Sequence, residues 1–301
     1  MGKGTGHMGQ LALLCLLGLI FAGLTGQIWA GQAVADGEAQ TTTTSAVSAD
    51  LPVTADVDEP DENEHEDMPL TVEVEPDPKV LEGVKAQGEG PQVMIYHTHS
   101  HEAYVKGEQD YKETGQWRTA NQDYNVVRVG TELSNLLEDR YGISVLHDKT
   151  DHEPPKLGTA YIRSLKTLEA AAEQYDSLKV FIDLHRDAYS KGQTKFIEID
   201  GKEVAQLMIV IGTGEGSSGS GFSVKPDWEK NYQLADEITK GLQAIHPDLA
   251  RAIRVKTGRY NQHISTGCIL VEAGHNENTL EQVLNAMPYL AQVLADVMKA
   301  G

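Results

Sequence analysis

From residue 91 onward the chain alternates between short, nearly continuous apolar runs and longer stretches that are apolar every third or fourth position. "QVMIYH" (92–97), "ISVLHD" (143–148), "KVFIDLH" (179–185) and "CILVEAG" (268–274) are of the first kind and predict strands. "NVVRVGTELSNLLEDRYG" sets Val126, Val129, Leu133, Leu136 and Leu137 on one helical face and stops at Gly142. "TAYIRSLKTLEAAAEQY" and "NYQLADEITKGLQAIHP" predict two more helices, and "TLEQVLNAMPYLAQVLADVMKA" closes the chain as a helical segment. "TKFIEIDGKEVAQLMIVIGT" predicts a hairpin that turns at Asp200-Gly201, with residues 207–211 as its return strand. Strands alternating with helices imply an α/β sandwich around a largely parallel central sheet flanked by helices.

Upstream the pattern changes twice. Residues 11–30, "LALLCLLGLIFAGLTGQIWA", run for 20 positions without a charge, about the length of a membrane-spanning helix. Lys3 precedes this run and acidic residues follow it, which places residues 1–10 in the cytoplasm and the rest of the chain outside. The expectation is a single-pass cell-membrane protein with its folded domain on the extracytoplasmic side; a cleaved signal peptide ending near "IWAGQA" is the competing reading, and it too exports the chain. Residues 31–90 are rich in Thr, Ala, Asp, Glu and Pro and offer few large apolar groups, so they read as a flexible acidic spacer. Its end, "LTVEVEPDPKVLEGVKAQ", predicts a short strand or docking segment ahead of a domain at 91–301.

Charge supports this division. The net charge is −20, yet 16 of the 45 acids and only two lysines fall within 31–90, leaving a mildly acidic globular part. No basic face of the kind nucleic acid requires is present in the sequence. The two cysteines, Cys15 in the apolar run and Cys268 in a predicted strand, offer no disulfide framework, and Cys268 reads as a small buried hydrophobe.

Candidate chemistry gathers at the ends of three predicted strands, where open α/β sheets place their sites. The first runs into His97, His99, His101 and Glu102; the second into His185, Arg186 and Asp187; the third into Glu272 and His275. Imidazoles with a carboxylate form the usual open zinc site, and a carboxylate that is not a ligand can serve as general base and acid. Spacing alone does not assign the roles. His147, His152 and His246 read as structural, as does His263, although its loop leads into the Glu272 strand.

"IYHTHSHEAY", "NVVRVGTEL", "FIDLHRDA", "GRYNQHIS" and "ILVEAGHNENTLEQV", in this order across residues 91–298, resemble the stage II sporulation protein P family. These are membrane-anchored cell-wall hydrolases of endospore formers, related to the zinc-dependent N-acetylmuramoyl-L-alanine amidases. The resemblance implies an amidase-like sandwich, a Zn2+ cofactor and peptidoglycan as substrate. It further implies endopeptidase cleavage of cross-links, and septal work during engulfment beside sporulation proteins D and M. Matched to the amidase pattern, His99 and His185 become metal ligands and Glu272 the catalytic carboxylate, and the helix-starting acid falls near Asp123 as third ligand. Glu102 competes with Asp123 for that place. His97 is the rival of His99 as ligand, or else orients its neighbours or binds substrate; Arg186 holds the developing oxyanion or a substrate carboxylate, and His275 is given no role.

Other classes fit less well. A metallo-β-lactamase-like site needs ligands where Ala103 and Tyr104 stand, and an amidohydrolase barrel needs more residues than follow position 90. The alternative in a different class is an anchored, non-catalytic module that binds peptidoglycan or a partner.

Overall fold

The computed structural model describes residues 72–106, 111–219 and 221–299. The apolar run at 11–30 and the spacer up to residue 71 lie outside the described residues. Among the described residues no helix is long and apolar enough to cross a membrane.

Six strands form the main sheet: β1 (Val93–Tyr96), β2 (Val145–His147), β3 (Val180–Asp187), β6 (Leu207–Gly212), β7 (Arg254–Lys256) and β8 (Cys268–His275). A separate two-stranded ribbon holds β4 (Ile197–Ile199) and β5 (Lys202–Val204). The sheet order is β2-β1-β3-β8-β6-β7, parallel throughout except where β6 meets β8. The expected largely parallel α/β sandwich is therefore present. The helices are α1 (Pro78–Gly83), α2 (Val126–Tyr141), α3 (Ala160–Gln174), α4 (Trp228–Ile245), α5 (Leu280–Leu284) and α6 (Met287–Met298).

Strand alternation decides which face each side chain serves. Val93, Ile95, Val180, Ile182, Leu184, Ile269, Val271 and Ala273 turn to one face, where α2, α4, α5 and α6 cover them in the main core. Met94, Tyr96, Phe181 and Cys268 turn to the other, where Leu168 and Ala171 of α3 pack on them. Asp183, His185 and Glu272 share this second face by the same parity, beyond the part that α3 covers.

Three sequence expectations are corrected. The hairpin at Asp200-Gly201 exists, both turn residues having positive φ, but its return strand is β5; residues 207–212 form β6 inside the main sheet. Strand β6 had to be antiparallel to β8 because the chain reaches it through this ribbon and not through a crossover helix. The domain also begins before residue 91. Residues 78–83 form a helix, not a strand, capped by Asp77 Oδ1 on the Lys79 N–H. Val80 and Val84 are buried, the Asp77 N–H donates to Gln233 Oε1 on α4 at 2.7 Å, and the Ala86 N–H donates to the Met298 carbonyl. Strand β7 went unpredicted because three residues with two cations among them carry no apolar signal.

One contact on the helix-covered face involves no apolar group. His97 Nδ1 donates to the Leu184 carbonyl at 2.9 Å, so its neutral ring leaves Nε2 as an acceptor, 3.0 Å from His147 Nε2. Helix α2 comes close enough to cover this pair only at Gly130, where a Cβ would sit 2.7 Å from His147 Nε2 and 2.8 Å from His97. Burial pushes His97 down to about 4 and His147 down to about 3.

Both folded pKa values lie below the unfolded value, so the unfolded chain takes up protons first and stability falls as pH drops from about 6.5 toward 4. The two rings together contribute a slope of up to about 2.7 kcal/mol per pH unit. Replacing His147 with Gln keeps an N–H donor that does not titrate. Urea unfolding at pH 7 and pH 5 should then show a slope shallower by about 1 kcal/mol per pH unit, and equal slopes would refute this account. Gly130→Ala should destabilise by about 1–3 kcal/mol despite alanine's better helix propensity, read as a lower urea midpoint.

Candidate metal centre

The site begins with a turn. After β1 the chain folds back so that the Glu102 N–H donates to the His99 carbonyl at 3.2 Å, which sets the two side chains on one side of the turn. His99 Nδ1 then lies 3.7 Å from Glu102 Oε1. Strand β3 delivers His185, whose Nδ1 is 3.4 Å from Glu102 Oε2. The three donor atoms all lie within 4.8 Å of one another.

Behind His185 stands Asp183. Its Oδ1 is 2.8 Å from His185 Nε2, and it accepts from the Thr98 N–H at 2.9 Å and the Thr98 hydroxyl at 2.7 Å. Asp183 is 1% exposed, so these partners replace all of its water. Burial alone would raise the Asp183 and Glu102 carboxyls, but His185 and the Thr98 donors hold Asp183 below the usual range, and His185, His99 and Arg186 hold Glu102 well below it. Burial would lower His185, and the two carboxylates outweigh it and raise its pKa well above the usual value. Two anions around one imidazole create a site that favours added positive charge.

Glu272 is the direct register partner of His185 on β8, which puts the two side chains side by side on one face. Burial, then the Asp187 and Glu102 charges, push its carboxyl up to about 8 against the opposing pull of His185 and Arg186. One oxygen, Oε2, is buried without a hydrogen-bond partner. Immediately afterwards the β3–β8 register shifts, with Asp187 opposite His275, so the side chains beyond Glu272 are re-aimed. His99, Glu102, His185, Asp187 and Glu272 open into one cleft of about 390 Å3, which Tyr161, Arg118, Arg186, Arg254 and Lys256 also line. The Tyr161 ring lies parallel to His185, at 6.4 Å between centroids, and edge-on to His99.

The donor set suits a metal. Two imidazole nitrogens and one carboxylate oxygen are the common protein ligands of an open zinc site. His185 would bind through Nδ1 while Asp183 fixes the ring through Nε2, the arrangement usual for metal-bound histidine.

Comparison with known proteins agrees with the sequence resemblance. The family model described as Stage II sporulation protein P matches residues 30–295. The chain belongs to the stage II sporulation protein P family. Stage II sporulation protein P of Bacillus subtilis (strain 168) is 30% identical over 224 residues, 70% of this chain and 52% of that protein. The chain thus spans about half the length of this curated relative. Among solved structures, N-acetylmuramoyl-L-alanine amidase from Clostridium difficile 630 is similar with a TM-score of 0.39 and 15% identity, covering 69% of this chain and 95% of that one. The amidase Ami1 from Mycobacterium smegmatis is similar at 0.40 and 12%, covering 69% and 97%. Likeness at these scores decides nothing about chemistry, which rests on the residues themselves.

Of the residues singled out in the sequence, His99, Glu102, His185, Arg186 and Glu272 share the cleft. Asp123 does not. It is exposed, in a turn where its N–H donates to Asn121 Oδ1, and the helix it precedes is capped instead by Asn125. His97 turns to the opposite face of the sheet and supports the β3 backbone beside His185 without joining the cluster. His101 braces a neighbouring loop, 2.9 Å from Asp151 and 3.3 Å from Glu153. Arg186 spends its guanidinium on the carbonyls of Ala103, Asp187 and Trp117, while its N–H donates to Glu102 Oε2 at 3.0 Å. His275 faces the Thr194 carbonyl at 3.4 Å and the Tyr189 ring; His263 lies in a 3-10 turn and does not line the cleft. Asp183 and Tyr161 were not singled out. An acid inside the apolar run "VFIDL" was the available signal for Asp183, whereas Tyr161 looks like any helix position.

The cluster predicts a ligand set. Zinc titrated into the 301-residue chain against a chromogenic chelator should bind about 10–100-fold more weakly in Asp183→Asn, and at least as weakly in Glu102→Gln. Asp123→Asn should bind like the parent chain; a loss there equal to that of Glu102→Gln would put the third donor at Asp123.

Proposed function

We propose that the chain is a zinc-dependent peptidoglycan hydrolase that cleaves the amide between N-acetylmuramic acid and the L-alanine of the stem peptide. The observation that carries this reading is the convergence of His99, Glu102 and His185, three donors within 4.8 Å, with the half-buried carboxyl of Glu272 in the same cleft. Family membership supplies the substrate class.

His99, Glu102 and His185 would hold the ion, with Asp183 fixing the His185 ring. Zinc, when bound, polarises a carbonyl oxygen and lowers the pKa of a bound water toward neutrality. Glu272 takes the proton from the attacking water and hands it to the leaving amine. Its environment suits both halves of that task. Burial pushes this carboxyl up to about 8, and a cation held by the neighbouring donors would pull it back toward neutral pH, where a carboxylate can take a proton and return it. Tyr161, 6% exposed and parallel to His185, keeps water from one side of the cluster. Arg186, tied to three carbonyls, positions Glu102 through its own N–H.

The rest of the reading follows the sequence. Residues 11–30 would anchor the chain in the cell membrane, with residues 1–10 cytoplasmic and the hydrolase outside. Cross-link cleavage and partnership with sporulation proteins D and M are supported by the family resemblance alone.

Muropeptide mass spectrometry after incubating peptidoglycan with the 301-residue chain should show freed peptide amines and intact glycan. A zinc chelator should abolish release and added zinc should restore it. Glu272→Gln should lower the rate by about 10²–10⁴-fold. Free reducing sugar ends without freed amines would refute the amidase reading, and an equal rate in Glu272→Gln would refute the role given to that residue.

A further inference from the structure

The chain carries a net charge of −20, yet its cleft is lined by four cations, Arg118, Arg186, Arg254 and Lys256. Arg118 is 2.5 Å from Glu153, and Arg186 donates to backbone carbonyls. Arg254 and Lys256 come from β7, the edge strand. Arg254 lies 4.0 Å from Asp187, whose carboxylate is held by Arg251 at 2.6 Å. The Lys256 ammonium has no ion-pair partner among the described residues.

Register places this pair relative to Glu272. Glu272 pairs with Met208, Leu270 and Arg254 both pair with Val210, and Lys256 pairs with Gly212. All therefore share the face of the sheet that bears the metal donors, while Val255 between the two cations turns the other way and is 6% exposed. Lys256 stands two strands from Glu272 at ~4.8 Å each and four residues along at ~3.3 Å each. A four-carbon stem leaning into the cleft brings its ammonium to on the order of 10–15 Å from the Glu272 carboxylate.

We propose that Lys256, with Arg254 beside it, binds a carboxylate of the peptide two or three residues beyond the scissile amide, and so selects acidic stem peptides over amidated ones. An extended peptide advances ~3.3 Å per residue, so its second and third residues lie ~7–10 Å along, and their own side chains supply the remaining few ångströms to the ammonium. The inference rests on the proposed amidase reading, because that reading fixes which end of the peptide lies near Glu272. A lysine on an edge strand also discourages pairing with other strands, but that role predicts no discrimination between ligands.

The test uses binding, so that it does not depend on turnover. The probes are fluorescent muramyl tripeptides whose second- and third-residue carboxylates are free, singly amidated or doubly amidated, with the parent 301-residue chain and Lys256→Met. The free acid should bind the parent about 10-fold more tightly than the doubly amidated probe, a single charge-assisted contact being worth about 1.4 kcal/mol. Lys256→Met should erase that preference while leaving affinity for the amidated probe unchanged, and the singly amidated probes identify which carboxylate is read. Raising the salt should shrink the preference in the parent only. Equal binding of all probes by the parent, absence of binding, or a preference retained in Lys256→Met would overturn the proposal. A preference that Lys256→Met abolishes, in a chain that frees no peptide amines from peptidoglycan, would uphold the carboxylate site and reject the amidase chemistry.

Discussion

A carboxylate buried in the central strand constrains everything around the cleft. Asp183 sits in β3 with no access to water, and an ionised acid there is tolerable only when partners replace its hydration. Two donors come from Thr98, two residues beyond the end of β1, and the third partner is His185 two positions on in the same strand. Holding Asp183 therefore holds the β1 turn against β3. That turn carries His99 and Glu102, so the groups that compensate one buried charge also fix the geometry of the site. Glu102 adds a second anion beside the same imidazole. Such a pair is poorly balanced by one proton on His185 and well balanced by a divalent cation.

The opposite face of the sheet supports the same residues differently. His97 donates to the carbonyl of Leu184, the residue joining Asp183 to His185, and His147 completes its hydrogen bonding from the edge strand β2. Helix α2 closes over the two rings at Gly130, where no side chain intervenes. The third histidine of "HTHSHE" ties the turn to the 151–153 loop, and Arg118 grips Glu153 in that loop. Each histidine of the cluster thus has separate work: His97 behind the sheet, His99 in the cleft and His101 at the side.

Much of this was legible in the sequence because it depends on periodicity. Strand runs and amphipathic helices gave the order of elements, and parity along β3 and β8 places His185 and Glu272 on one face once the strands pair. The third donor was not legible in that way. Asp123 and Glu102 both precede a structured segment, and only the back-folding of the 99–102 turn separates them; the three-residue spacing of His99 and Glu102 was the clue, being the spacing a single turn brings together. The division between β5 and β6 was hidden because "EVAQLMIVIG" contains both a short ribbon strand and a core strand with only Ala205 and Gln206 between them. Helix α1 was hidden by composition: "PDPKVLEG" looks like acidic spacer, and only the contacts to α4 and α6 reveal that Val80 and Val84 have a place to be buried.

The direction of β6 and β7 matters for what the cleft can hold. In a wholly parallel sheet, side chains of use to a ligand would gather beyond the carboxyl ends of the strands. Here the candidate metal donors obey that rule, but β6 and β7 run the other way, so Arg254 and Lys256 lie level with the middle and start of β8 and not beyond its end. Helix α3 covers β1, β3 and Cys268 with Leu168 and Ala171, and its first turn sets Tyr161, with Tyr260, over Leu270, Met208 and Val210. The cleft runs diagonally from His185 past Glu272 to Arg254 and Lys256 of β7, over Leu270 and Val210, which are almost wholly buried beneath Tyr161 and Tyr260. A compact ligand would need only its upper end. A cleft with candidate metal donors and the half-buried Glu272 at one end and cations at the other has the length and charge distribution to take a linear molecule that carries negative charge away from the donors.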